Sequence, residues 1–369
     1  MKYLAALSVF VLLLFSSCQK QTKQSLDVDF EESMGKSGSD WSSIMEHKGN
    51  KERVALLKSV YDSKKPSNLS FCSQPKIPKI IHQIWLGPKT LPHYFWEYKK
   101  TWEQQHPDWE YRLWQDKDVE NLDFELKDLF LRSSNYGEKA DILRAELLDR
   151  FGGLYVDVDI ECKKSFDELH EKYDFFAGLE PPHQGDFTQS APHIVISNAL
   201  IGASPHHPII QDWKVRIRAG WDELEMRYPD SAKRVLLRAF YPFGEAVVSN
   251  ISDPTRCNIV FPPTYFYPLT FTVVSKGRLK KMSFYKRQIQ NVLSCFGKEK
   301  APFVEIRPET MAVHYWGNSW VKSNEERLRE MYKHLLQLEE QTRQNIQRLD
   351  QRLAELNDKM QMMNRENAA

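Results

Sequence analysis

Residues 137–161 read as a helix, a sharp turn and a buried strand in immediate succession, and no other stretch limits the fold as much. An amphipathic helix is expected from about Lys139 to Arg150. Gly152 and Gly153 break it, and Leu154-Tyr155-Val156 has the apolar, aromatic and β-branched character of a strand. That strand leads into Asp157-Val158-Asp159. Side chains alternate along a strand, so both carboxylates are expected on one face at its carboxyl end. Two carboxylates so placed form a hard oxygen site that suits Mg²⁺ or Mn²⁺ carrying a diphosphate. Asp141 and Arg144 lie one helical turn apart on the preceding helix, which leads them back toward the same strand end.

The rest of the core alternates strands and helices. Ile80–Ile84 is rich in β-branched residues and is followed by a Leu86-Gly87-Pro88 turn. Helical patterns are expected near Pro92–His106, Glu120–Ser133 and Pro208–Ala219, and further strands at Phe175–Gly178 and Ile194–Ile196. Such alternation predicts an α/β fold with a mainly parallel sheet and helices on both faces. Ligands of these sheets bind at the carboxyl ends of strands, where Trp85 and the Asp-x-Asp motif would lie. No glycine-rich dinucleotide or phosphate-loop motif is present.

The ordered motifs resemble glycosyltransferase family 32, the DXD sugar transferases that include Golgi and sphingolipid α-mannosyltransferases. The large clostridial glucosylating toxins share the same core pattern. The resemblance is carried by Ile77–Trp85, by Trp102, His106-Pro107 and Trp109–Trp114, by Ala140–Arg144, and by Phe151–Tyr155 with Asp157-Val158-Asp159. It continues through Asn198–Ala203, His207-Pro208 and a closing His314–Trp320. It spans about residues 76 to 320, and Tyr241–Glu245 departs from the Gly-Pro pattern of the family.

The resemblance implies a GT-A fold with a nucleotide-sugar-binding sheet, and a metal-dependent transferase that retains anomeric configuration. It implies a GDP- or UDP-hexose donor, a glycan, lipid or protein acceptor, and Mn²⁺ or Mg²⁺ as cofactor. By the same token, Asp157, Asp159 and His314 would hold the metal, and Asp141 and Arg144 the donor sugar. Trp85, Tyr155, Asn198, Ser319 and Trp320 would contact the nucleotide, sugar or diphosphate. From the residues alone, Tyr155 reads equally well as a strand core residue and His314 as a buried structural histidine. Retention by double displacement requires a carboxylate on the opposite sugar face, and no residue is singled out for it; front-face transfer assisted by the diphosphate is expected instead. Two rival readings are a membrane-tethered, non-catalytic carbohydrate-binding or scaffolding protein on the same fold, and a metal-dependent phosphoesterase. The second would need more clustered carboxylate and histidine ligands.

The flanks read differently. Met1-Lys2 precedes an apolar run from Tyr3 to Phe15, and Ser16-Ser17-Cys18 follows. The run is short for a membrane span and fits a signal segment: residues 1–18 are a lipoprotein box with lipid at Cys18, or a signal anchor. Either one ties the chain to a membrane with its catalytic domain outside the cytosol. Residues 19–75 are polar and read as a tether, with a short helix over Asp40–Lys64. Residues 323–363 lack Pro and Gly and place Leu328, Met331, Leu335, Leu338, Ile346, Leu349, Leu353 and Leu356 at coiled-coil-like spacing, so residues 321–369 are expected to form a long amphipathic helix that could join two copies. The remaining cysteines, Cys72, Cys162, Cys257 and Cys295, lack zinc-site spacing and leave disulfides or free thiols open. A net charge of +1 gives no nucleic-acid signal.

Overall fold

The computed structural model describes residues 27–38, 41–46, 48–70, 76–182, 194–228, 232–270, 303, 305–317, 339–353, 355, 356 and 359. The chain divides into a unit ending at Gly317 and a second beginning at Asn318. The larger unit has a six-stranded sheet in the order β2-β1-β3-β6-β5-β7. Its strands are β1 (Ile80–Ile84), β2 (Glu110–Trp114), β3 (Gly153–Val156), β5 (Phe175–Leu179), β6 (Ile196–Ala203) and β7 (Asn258–Phe261). A separate pair joins β4 (Ile160–Cys162) to β8 (Ala312–His314). Principal helices are α1 (Lys48–Lys64), α2 (His93–Gln105), α3 (Tyr136–Phe151), α4 (Pro208–Arg227) and α5 (Tyr241–Asn250).

The expected α/β architecture, a mainly parallel sheet flanked by helices, is present. β1, β2 and β3 pair in parallel, as do β5 and β7. β6 runs against both β3 and β5, so it alone points the other way. All residues of β3, β5, β6 and β7 are buried, as a sheet covered on both faces requires.

Helix α3 starts where Asn135 Oδ1 accepts the N–H groups of Gly137 and Glu138, at 2.7 and 3.3 Å. It ends at Gly152 with φ +63°, and Gly153 follows at +97°. A Cβ at Gly153 would stand 2.6 Å from the Ile80 carbonyl oxygen, and one at Gly152 would stand 2.8 Å from that of Ala203. The turn thus needs glycine for both conformation and space. His82 fastens it: its Nε2 donates to the Gly152 carbonyl at 2.9 Å, and its Nδ1 accepts from Trp114 Nε1 at 3.1 Å. Burial pushes the His82 pKa down to about 4, so the ring is neutral and holds that tautomer.

Several elements differ from the sequence expectation. The polar stretch read as a tether packs on the core. Val54, Leu57, Val60 and Tyr61 of α1 are buried, and Tyr61 Oη meets Tyr265 Oη at 2.9 Å. Its apolar residues recur once per turn, but polar residues outnumber them and mask the stripe. The helix expected over Glu120–Ser133 is two short ones, Asp116–Val119 and Lys127–Arg132, while α4 runs eight residues beyond Ala219, to Arg227. β6 begins at Ile196 rather than Ile194 and continues to Ala203. Neither Cys162 nor Cys257 forms a disulfide among the described residues; Cys72 and Cys295 lie outside them.

In the second unit residues 339–353 are helical, with Ile346, Leu349 and Leu353 exposed. Residues 355, 356 and 359 are helical too; the other residues of the long helix expected there lie outside the described ones, as do the signal segment and Cys18. Among the described residues no helix is long and apolar enough to cross a membrane.

The Gly153 turn yields a stability test. Gly153→Ala combines a positive φ with a backbone clash and should cost about 2 kcal/mol or more in urea unfolding. An unchanged midpoint would show that the turn relaxes freely.

Candidate active site

Chain reversal between β3 and β4 creates the central feature. β3 ends at Val156; Asp157 keeps one more ladder bond, donating its N–H to the Ala199 carbonyl at 2.8 Å. The Ile160 N–H then returns to the Asp157 carbonyl at 3.2 Å, closing a tight turn. Asp157 and Asp159 therefore converge because they flank a turn, not because a strand alternates. β4 pairs with β8 in antiparallel register, setting Ile160 opposite His314. That pairing delivers a histidine from the far end of the domain to the Asp-x-Asp turn.

Asp157, Asp159 and His314 each offer a ligand atom, all within 4.8 Å of one another. A six-coordinate cation with bonds of about 2.1 Å separates its ligand atoms by about 3.0 to 4.2 Å, so small side-chain adjustments close this set around a divalent ion. His314 Nε2 lies 3.3 Å from Asp159 Oδ1, and its Nδ1 is buried with no partner. Asp159 Oδ2 accepts the Gly317 N–H at 2.5 Å, which fixes the carboxylate. A Cβ on Gly317 would stand 2.6 Å from Tyr94 Oη and 3.0 Å from Asp159 Oδ2. The following residues, Ser319 and Trp320, lie outside the described ones.

Arg144 organises the donor side. It is buried, 3.3 Å from Asp141 Oδ1 and 3.0 Å from Asp157 Oδ1, and it donates to the Asn198 carbonyl. Its guanidinium covers the Tyr155 ring at 4.1 Å. Asn198 Nδ2 donates to Asp141 Oδ1 at 2.9 Å. A register shift brings Asn198 there: Ala177 faces Ile201, but the next β5 residue, Gly178, faces Ser197. The bulge on β6 re-aims Asn198 toward α3.

Tyr155 sits differently from a nucleotide-stacking role, and Trp85 stands at the carboxyl end of β1. Tyr155 is buried under the site, and its hydroxyl donates to Asp157 Oδ1 at 2.6 Å, so it positions the carboxylate. Trp85 follows β1 and is partly exposed; its N–H donates to the Trp114 carbonyl at 2.9 Å and its indole to the Lys89 carbonyl at 2.6 Å. Sequence reasoning missed Gln83, whose amide donates to the Asp157 carbonyl at 3.1 Å while Tyr111 donates to it. It also missed Gly317 and Tyr94. Gly317 lies inside the closing motif, where a glycine beside the histidine was the available signal.

Electrostatics follow the geometry. Burial raises Asp141 to about 7 against the pull of Arg144. Burial and the neighbouring Asp159 raise Asp157, despite Arg144. Asp159 goes down, because His314 and the Gly317 N–H outweigh its burial. His314 goes up, since Asp159 and Asp157 outweigh the burial that disfavours its charge.

A family model described as "Glycosyltransferase sugar-binding region containing DXD motif" matches residues 92–176, and the chain resembles glycosyltransferase family 32. It is 32% identical over 142 residues to inositol phosphoceramide mannosyltransferase 1 of Schizosaccharomyces pombe, which covers 37% of this chain and 41% of that protein. It is 30% identical over 242 residues to a mannosyl phosphorylinositol ceramide synthase of Saccharomyces cerevisiae, which covers 62% and 60%. The chain thus spans about two fifths of the first relative's length and three fifths of the second's. Among solved structures, the PaToxG glycosyltransferase aligns at 17% identity and a TM-score of 0.37, covering 66% of this chain and 87% of that one. The galactosyltransferase LgtC aligns at 12% and 0.35, covering 69% and 94%.

Asp159→Asn should weaken Mn²⁺ binding at least about tenfold, read by the paramagnetic resonance of free Mn²⁺, with the melting temperature nearly kept. A protonated His314 cannot ligate, and its pKa is raised, so Mn²⁺ affinity should climb with pH through and above the ordinary histidine range. His314→Gln should remove that part of the slope. Equal Mn²⁺ binding by wild type and both variants would show that the ion sits elsewhere.

Proposed function

We propose that the chain is a metal-dependent, retaining glycosyltransferase of GT-A type that moves a hexose from a nucleotide sugar to an acceptor hydroxyl. The convergence of Asp157, Asp159 and His314 beside the buried Asp141–Arg144–Asn198 cluster carries this reading. Asp157, Asp159 and His314 would hold Mn²⁺ or Mg²⁺. Bound there, such an ion supplies charge stabilisation for a departing diphosphate.

The residues divide the remaining work. Arg144, fixed by three acceptors and the Tyr155 face, presents a preorganised positive charge to the donor; Asp141 and Asn198 offer an acceptor and a donor to sugar hydroxyls. Tyr155 and Gln83 hold the Asp-x-Asp turn from beneath. By the family resemblance, Trp85, Ser319 and Trp320 would contact the nucleotide and diphosphate. The names of the yeast relatives favour a mannosyl donor and an inositol phosphoceramide-like lipid acceptor. A lipid acceptor in turn suits membrane attachment through the first 18 residues, and the apolar seam at Ile346, Leu349 and Leu353 suits pairing of two copies.

The deciding experiment is turnover of GDP-mannose, UDP-glucose and UDP-galactose, each with Mn²⁺ and with EDTA. At least one donor should turn over, stop with EDTA and resume with Mn²⁺. Arg144→Lys keeps the charge but loses the planar fork, and should slow that turnover roughly tenfold or more. Inertness toward all donors would sink the assignment, and full turnover in EDTA would sink the metal.

A further inference from the structure

Gly317 has a φ outside the left-handed region, so conformation does not demand a glycine there. Space explains it instead. A Cβ on Gly317 would stand 2.6 Å from Tyr94 Oη, 3.0 Å from Asp159 Oδ2 and 3.4 Å from Asp159 Cβ. The Tyr94 hydroxyl and an Asp159 carboxylate oxygen therefore border one small gap that the missing side chain keeps open. Gly317 itself is exposed, so the gap can be reached from solvent.

Tyr94 lies in the first turn of α2, and a ladder of rings sets its position. Its ring centroid is 5.5 Å from that of Tyr98, one turn along the helix. Tyr98 stacks on Tyr315 at 5.0 Å with the planes 9° apart, and Tyr315 Oη donates to Glu161 Oε2 at 2.8 Å. The Tyr315 N–H holds the Asp159 carbonyl, so one residue fixes both α2 and the Asp-x-Asp turn. Two turns on, buried Trp102 donates its indole N–H to the Ile160 carbonyl at 2.8 Å and ties α2 to β4. Tyr94 is half-buried, and among the described residues its hydroxyl makes no hydrogen bond. A phenol is protonated at neutral pH, so this is a fixed O–H donor left unused. A ligand oxygen would complete it. An anionic oxygen can lie so close to Asp159 when it arrives with a cation, as a diphosphate does with its divalent ion.

We propose that Tyr94 is a diphosphate-binding residue, its hydroxyl donating a hydrogen bond to a phosphoryl oxygen of the nucleoside diphosphate part of the donor. The inference rests on the glycosyltransferase reading and adds a neutral donor beside Asp159 to the Arg144 charge beside Asp157. In the step, the sugar C1–O bond to the diphosphate breaks and its electron pair goes to the diphosphate oxygen. The acceptor oxygen forms the new bond to C1, and its proton passes to the diphosphate, as front-face transfer requires. Tyr94 keeps its own proton and stabilises the charge that the leaving group gains.

The test compares wild type with Tyr94→Phe, which keeps the ring and its contact with Tyr98 but removes the donor. Whichever of GDP–Mn²⁺ and UDP–Mn²⁺ wild type binds should bind the variant about tenfold or more weaker in calorimetry, the loss expected for one hydrogen bond to a charged group. Mn²⁺ alone, followed by its paramagnetic resonance, should bind as before, and the melting temperature should be kept. Donor turnover, as kcat/KM, should fall at least as far, because the departing diphosphate carries more charge than the bound donor. Undiminished nucleotide binding overturns the role of Tyr94, while donor turnover by wild type leaves the enzyme reading standing. An equal loss of affinity for Mn²⁺ alone would make Tyr94 a support of Asp159 and equally overturn it. A wild type that neither binds nucleotide nor turns over donor overturns both readings. Should Tyr94→Phe fail to fold, Gly317→Ala takes its place. It keeps the N–H that Asp159 accepts but fills the gap, so nucleotide binding should weaken, and unweakened binding overturns the proposal.

Discussion

The buried guanidinium of Arg144 is the constraint around which the site is built. Taking that charge out of water is costly unless its donors are met. The terminal nitrogens are met from three directions, by Asp141 one turn earlier on α3, Asp157 from the end of β3, and the Asn198 carbonyl from the β6 bulge, while Nε stays buried without a partner. The Tyr155 ring closes its face. Each partner fixes one element against the next, so α3, β3 and β6 cannot shift separately without exposing an unpaired charge. Pairs of this kind cost about 3–5 kcal/mol to break from one side. The same contacts that anchor the helix to the sheet therefore also set the Asp-x-Asp turn.

His314 depends on a second device. β4 and β8 are three residues each, and their pairing closes a loop of about 150 residues. So short a ladder gains stability from what surrounds it. Trp316 packs its ring 4.2 Å from His314 and adopts φ +54°, an uncommon conformation for a large side chain. The Tyr315 N–H donates to the Asp159 carbonyl at 3.0 Å, and the Gly317 N–H to its carboxylate. The closing segment thus grips Asp159 through backbone as well as side chain, and His314 is held beside it by the register that does so.

What could be read in advance follows from range. Helix, double-glycine turn, strand and Asp-x-Asp are consecutive, and local propensity and periodicity report them directly. Asp141 and Arg144 share a helix face, so their approach to the strand end also followed from spacing. Convergence of Asp157 and Asp159 was expected for the wrong local reason, since a turn and an alternating strand look alike over three residues. The reversed direction of β6, the bulge that aims Asn198, and the Gln83 bond beneath the turn depend on pairing between distant segments. Helix α1 hid its buried face because Lys58, Ser59, Asp62 and Ser63 among Leu57, Val60 and Tyr61 make the stretch read as solvated.

Charge balance ties these parts together. Asp141, Asp157 and Asp159 face only one permanent cation among the described residues, Arg144, and one titratable one, His314. Burial makes that imbalance expensive, and the molecule answers by pushing Asp141 and Asp157 toward their neutral forms and His314 toward its charged form. Only Asp159, gripped by His314 and Gly317, is pushed down. A divalent cation between Asp157 and Asp159 would supply the missing positive charge where the carboxylates are densest, and would free His314 from serving as their counter-ion. The Asp-x-Asp turn, with one carboxylate pushed up and its neighbour pushed down, thus carries the charge deficit that a divalent ion would fill.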